Sequence, residues 1–114
     1  MATRSEQGAQ RSEQVLEALG NPVRRRLLLM LAGGPSAVGE LAANLPVSRP
    51  AVSRHLRLLE AADFVAHESE GTRNLYRLKS AGFAEARAWL DSFWDDAMTR
   101  FTILAENTKE EADR

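Results

Sequence analysis

The chain has 114 residues, 44% of them hydrophobic, and a formal net charge of -1; that is enough for one domain with one modest core. It contains no cysteine, which excludes a disulfide framework and any thiolate metal site. Apolar runs such as Leu27 to Ala32 are far too short to span a bilayer, and the first residues lack the apolar core of a signal peptide, so a cytoplasmic protein with no membrane partner is expected.

The charge is unevenly spread. Asn21 to Lys79 holds nine basic residues against five acids, whereas residues 80–114 hold four bases against eight acids. A basic middle between acidic ends is a pattern that suits a nucleic-acid partner better than the net charge does.

Residues 1–10 are polar and broken by Gly8, and a flexible N-terminus is expected there. A first helix is predicted from near Ser12 to Leu19, with Val15, Leu16 and Leu19 on its apolar side and Gly20 closing it. Asn21-Pro22 opens a second helix with an N-cap and a first-turn proline. Val23, Leu27, Leu28 and Leu31 face inward, and Gly33-Gly34-Pro35 ends it. Arg24, Arg25 and Arg26 occupy its first turn, an unfavourable place for cations in the helix dipole. Such a run is either solvated or holds a phosphate or an acidic partner segment.

Val38 to Asn44 reads as a short helix burying Leu41, with Leu45 beyond it. Leu45-Pro46-Val47 then turns the chain into Ser48-Arg49-Pro50-Ala51-Val52-Ser53-Arg54-His55-Leu56-Arg57-Leu58-Leu59. Ser48 is an N-cap and Pro50 is tolerated in the first turn. At about 100° per residue, Val52, Leu56 and Leu59 form one buried edge, while Pro50, Ser53, Arg54 and Arg57 share another sector with Arg49 beside it. One edge is apolar; the other carries three arginines and hydroxyls. A helix laid in the DNA major groove is built this way, with arginine reading guanine and hydroxyls reading bases or phosphates. Two short helices joined by a few residues also match the spacing of a helix-turn-helix.

Phe64 to Glu68 and Arg73 to Leu78 are predicted strands joined by a turn at Ser69-Glu70-Gly71-Thr72. A hairpin directly after a DNA-reading helix is where a winged helix keeps its wing. Arg73 at the turn is placed to reach a phosphate or the minor groove; Arg77 lies further from the tip. From Ser80 onward, Phe83, Ala86, Leu90, Phe93, Trp94, Ala97, Phe101 and Leu104 stay within a sector of about 100°. A helix of about 25 residues is roughly 37 Å long, more than so small a domain can cover with its own core. Its aromatics need a partner, most simply the same helix of a second chain.

Four stretches then combine: Ala18-Leu19-Gly20-Asn21-Pro22-Val23-Arg24-Arg25-Arg26-Leu27-Leu28, Val38-Gly39-Glu40-Leu41-Ala42, the Ser48 to Leu56 segment, and Glu70-Gly71-Thr72-Arg73. In this order and spacing, the chain closely resembles the ArsR family of bacterial winged helix-turn-helix repressors from about residue 12 to residue 104. The resemblance implies a mainly α fold with a small β-hairpin (α+β), a winged helix-turn-helix with long N- and C-terminal dimerisation helices. It implies one domain over residues 11–106, followed by a charged tail at 107–114. It also implies a homodimer joined through the first and last helices, with Leu16, Leu90, Phe93, Trp94, Ala97, Phe101 and Leu104 the expected seam. Its expected partner is double-stranded DNA, usually a palindromic operator near the regulated gene or its own. Ser48, Arg49, Pro50, Ser53, Arg54 and Arg57 are the expected DNA contacts of the helix, and Arg73 that of the wing.

The sensing elements depart from the family pattern. Metal-responsive members often place a Cys-x-Cys pair where this chain has Ala42 and Asn44, and others use His and carboxylate ligands on the last helix, which has no His. His55 is expected to make a structural hydrogen bond or a phosphate contact, and His67 to be exposed on the wing. No imidazole or thiolate metal site, and no cofactor, is therefore expected within one chain. Trp89, Phe93, Trp94 and Phe101 are alternatively the lining of a small-molecule pocket near the seam. The different-class alternative is a winged helix serving as a protein-interaction module without DNA binding. An enzyme is not expected: there is no glycine-rich phosphate loop and no nucleophile paired with a base.

Overall fold

The computed structural model describes residues 3–112 and runs α1 (Arg4–Leu19), α2 (Pro22–Leu31), β1 (Ser36–Ala37), α3 (Val38–Ala43), α4 (Arg49–Ala61), β2 (Val65–Glu70), β3 (Arg73–Leu78) and α5 (Ser80–Ala112). The starts of α1, α2 and α4 are chemically marked. Asn21 accepts from the backbone N–H groups of Val23 and Arg24, and Ser48 from that of Ala51, satisfying donors that a helix otherwise leaves open. At α1 the start lies earlier than the Ser12 expected. The Thr3 hydroxyl accepts from the Glu6 N–H while the Glu6 carboxylate accepts from the Thr3 N–H, a capping box that turns most of the stretch read as a flexible start into helix. The rest of that start, Met1 and Ala2, lies outside the described residues. At the other end α5 has 33 residues rather than about 25, so the expected charged tail is helical as far as Ala112; its last two residues lie outside the described range.

The wing is a three-stranded antiparallel sheet in the order β1-β3-β2, not a lone hairpin. Val65 to Glu70 pair with Leu78 to Arg73, and Gly71-Thr72 make the two-residue turn, with Gly71 at φ 64°. The added strand pairs Ser36 with Tyr76 and Ala37 with Leu75, which pins the base of the wing to the start of α3.

The core gathers the apolar edge of every helix. Val15, Leu27, Leu41, Val52, Leu56, Leu59, Phe64 and Val65 are fully buried, and no buried side-chain donor or acceptor lacks a partner among the described residues. Phe64 meets Phe83 edge to face at 4.9 Å, tying the chain after α4 to the first turn of α5.

A single joint sets how α4 sits against α1 and α5. Helix α4 ends in a Schellman motif: Phe64 N–H donates to the Leu59 carbonyl and Asp63 N–H to that of Glu60. Asp63 takes the left-handed position at φ 61°, a conformation that Asp adopts more readily than most residues. Arg11 of α1 donates to the carbonyls of Ala61 and Ala62 and pairs with Asp63 at 2.6 Å. Lys79 pairs with the same carboxylate at 3.0 Å, and Gly82 N–H donates to the Asp63 carbonyl at 2.7 Å. A Cβ at Gly82 would lie 2.6 Å from the Ala62 oxygen, so α5 reaches this approach only with glycine there.

Beyond Ala86, α5 leaves the body of the domain, which accounts for a long dimension of 74 Å against 37 and 21 Å.

Candidate nucleic-acid interface

The helix read as DNA-facing, α4, buries Val52, Leu56 and Leu59 completely. That burial turns the opposite edge outward: Ser48, Arg49, Pro50, Arg54 and Arg57 are exposed and Ser53 is half-buried. Arg49, Arg54 and Arg57 make no hydrogen bond or ion pair with any described residue. The helix carries one acid, Glu60 in its last turn, and His67 of β2 holds it. Three unpaired guanidinium groups on the outward edge of a rigid helix are free to engage base edges and phosphates.

The wing arginines are engaged instead. Arg73 pairs with Glu40 of α3 at 2.5 Å, and Arg77 with Glu68 at 3.3 Å. The Ser36 hydroxyl also donates to Glu40, at 3.0 Å. That bond, a second from the Ala37 backbone and the nearby Arg73 hold the Glu40 carboxyl below its ordinary pKa. Between α3, the first turns of α4 and the wing tip lies a cleft of about 330 Å³, lined by Val38, Glu40, Arg49, Ser53, Thr72 and Arg73 among others. Arg49, Ser53 and Arg73 thus come together at one side of α4, while Arg54 and Arg57 stand clear of this cleft.

The first-turn cations of α2 have a role that their own helix does not show. Arg24 donates from Nε to the Ala18 carbonyl at 2.8 Å and from a terminal nitrogen to that of Glu17 at 3.2 Å. Arg25 donates to the Leu19 carbonyl at 2.8 Å. These groups cap the C-terminus of α1, where open carbonyls and the negative end of the dipole favour cations. Arg24 also approaches His55 Nδ1 at 3.3 Å. Because the guanidinium only donates, the ring nitrogen accepts, and His55 is the neutral Nε2–H tautomer. Burial, then the charges of Arg24 and Arg54, push its pKa below the ordinary 6.5. The sequence singled out His55 and the arginine run separately; that they meet, 31 residues apart, is visible only in the fold.

The stripe on α5 is exposed over its outer half: Leu90 55%, Phe93 56%, Trp94 60%, Phe101 67% and Leu104 64%. Trp89 stacks on Phe93 at 5.5 Å. Ala97 is half-buried on the same stripe, and Leu16 is half-buried on α1, the helix against which the inner half of α5 packs. Contiguous exposed apolar surface on this scale marks an interaction face. Among the described residues no three His, Asp or Glu side chains cluster as metal ligands, and no helix is long and apolar enough to cross a membrane.

Comparison with known proteins agrees with this geometry. A helix-turn-helix domain family model matches residues 19–68. The HTH-type transcriptional regulator Rv2034 of Mycobacterium tuberculosis is 45% identical over 95 residues, covering 83% of this chain and 89% of its own. An ArsR-like transcriptional regulator from Rhodococcus sp. RHA1 superposes with a TM-score of 0.74 at 26% identity, covering 84% of this chain and 91% of that one. The homodimeric winged helix-turn-helix DNA-binding domain of Mb0332 from Mycobacterium bovis, described as a possible ArsR-family regulator, gives 0.65 at 28% identity, over 88% of this chain and 93% of that one. With its capped reading helix, its wing and these relatives, the chain belongs to the ArsR family of winged helix-turn-helix transcriptional regulators.

Proposed function

We propose that the chain is a homodimeric repressor that binds a palindromic operator, including one upstream of its own gene, and that metal ions do not release it. The observation that carries the DNA reading is the trio of unpaired arginines, Arg49, Arg54 and Arg57, on the outward edge of α4. In this reading Ser48, Arg49, Pro50, Ser53, Arg54 and Arg57 enter the major groove and Arg73 serves the wing. Leu16, Leu90, Phe93, Trp94, Ala97, Phe101 and Leu104 form the seam between protomers. Two copies related by a two-fold axis present two reading helices, which a palindrome matches half-site for half-site. The homodimeric state of the Mycobacterium bovis domain supports the assembly. A regulator of this kind works where chromosomal DNA is, in the cytoplasm.

Footprinting on DNA upstream of its own gene tests the reading. A protected, roughly symmetric site is expected, with Arg54→Ala weakening it by roughly 1–3 kcal/mol. A protein that protects no DNA would instead support a winged helix used as a protein-interaction module, and an Arg54→Ala variant with unchanged affinity would overturn this edge of α4 as the DNA-facing one.

A further inference from the structure

Helix α4 has a cleft on each side of its reading edge. The wing-side cleft is described above. The other, about 380 Å³, is lined by Arg24 of α2 and by Pro50, Ala51, Arg54, His55 and Leu58 of α4. No acidic side chain lines it, and every polar side chain in it is a donor. Arg54 has no partner among the described residues. Arg24 uses Nε and one N–H of each terminal nitrogen, which leaves one N–H on each. His55, with Nδ1 occupied as acceptor, offers Nε2–H. The site is also placed for an anion. A B-DNA major groove is about 12 Å wide and a helix with its side chains about 10–12 Å across. A reading helix seated there therefore has a phosphate backbone along both of its edges.

We propose that the cleft formed by Arg24, Arg54 and His55 binds a DNA backbone phosphate on the groove wall opposite the wing, and that His55 takes up a proton when it does so. The inference rests on the DNA-binding reading and adds to it a phosphate site on the flank of the reading edge, where Arg54 meets Arg24 and His55. In the free protein the ring is neutral because Arg24 donates to Nδ1. The phosphate accepts from the free N–H groups of Arg24 and from His55 Nε2–H, and in this proposal the guanidinium also swings the N–H now on Nδ1 toward it, which frees Nδ1 to bind a proton. Burial and the adjacent cations disfavour that proton before binding, and the phosphate's negative charge then favours it. The groups that face His55 are few. Arg24 comes from α2 and Arg54 from α4 itself. From α1 come the carbonyls of Glu17 and Ala18, both bonded to Arg24, and Glu17 lines the neighbouring cleft.

Phosphate contacts are sequence-independent, so the probe is a labelled duplex of about 30 base pairs and mixed sequence. Anisotropy titrations would run across several salt concentrations and from about pH 8 to about pH 5.5. Wild-type affinity is expected to rise as the pH falls, by at most about tenfold per pH unit for one proton. His55→Gln should bind with a flat pH profile and with a salt slope lower by about 1 below pH 6, where one contact charge is lost. His55→Arg should restore the salt slope at every pH. A wild-type affinity that does not change with pH, or a His55→Gln variant with the wild-type pH profile, would overturn the proposal while leaving DNA binding intact. A wild type that binds no duplex at all would instead overturn the DNA-binding reading beneath it.

Discussion

Phe101→Ala gives the most direct measure of the seam proposed on α5. Phe101 is 67% exposed and lies beyond the part of α5 that packs on its own domain. An aromatic side chain of about 200 Å² then leaves about 130 Å² for a second protomer to cover. At about 25 cal/mol per Å² that is about 3 kcal/mol per copy. A two-fold interface contains the residue twice, so about 6 kcal/mol is at stake in the dimer. With tenfold in Kd for every 1.4 kcal/mol, the dimer should weaken by about 10⁴-fold. Sedimentation equilibrium from nanomolar to micromolar protein reads this directly, and circular dichroism should show the helix content unchanged. Thr99→Ala is the control. Thr99 is exposed and lies on the polar side of the same helix, and it should leave the dimer untouched. A wild type that sediments as a monomer at micromolar concentration, or a Phe101→Ala dimer of wild-type affinity, would refute the reasoning.

Three further outcomes are expected. Gly82→Ala puts a methyl group 2.6 Å from the Ala62 oxygen and 2.8 Å from that of Asp63; a cost of roughly 1–3 kcal/mol, or a melting temperature lower by roughly 5–20 °C, should follow, and an unchanged melt would count against the joint as described. His55 and Asp63 both have depressed pKa values, His55 through burial and the adjacent arginines, Asp63 through Lys79 and then Arg11. Their stability contributions are therefore complete above the ordinary values of 6.5 and 3.8 and are lost as the pH falls below them. Urea midpoints should drop on acidification from neutral pH, and His55→Gln should remove the part of the drop that begins near 6.5. Finally, stoichiometric zinc, nickel, cadmium or arsenite should leave a preformed operator complex intact in a mobility shift; reversible release, undone by a chelator or thiol, would reveal a metal site and overturn this expectation.

Local chemistry was legible along the chain, and chemistry between distant segments was not. Ser48, Asn21 and the Gly71 turn each act within a few residues of themselves, so helix starts and the wing could be placed from spacing alone. The Thr3-x-x-Glu6 capping box is of the same kind and was there to be read; it explains why α1 begins at Arg4. Strand β1 has two residues and is defined only by pairing with Tyr76 and Leu75, which no local pattern announces. The same holds for Arg11 on Asp63, 52 residues away, and for Arg73 on Glu40, 33 away. Arg24 and Arg25 are misplaced only with respect to the dipole of their own helix. They serve the helix before it.

The Glu40–Arg73 pair changes what the wing contributes in ionic terms. When an unpaired arginine such as Arg54 meets a phosphate, the DNA sheds close to one condensed cation and nothing on the protein replaces it. Arg73 spends one N–H on Glu40, so a phosphate that met it there would share the guanidinium with a carboxylate whose charge repels it. In the proposed complex the wing would thus bring an ion pair of nearly zero net charge to the DNA, contributing fit and orientation more than ion release.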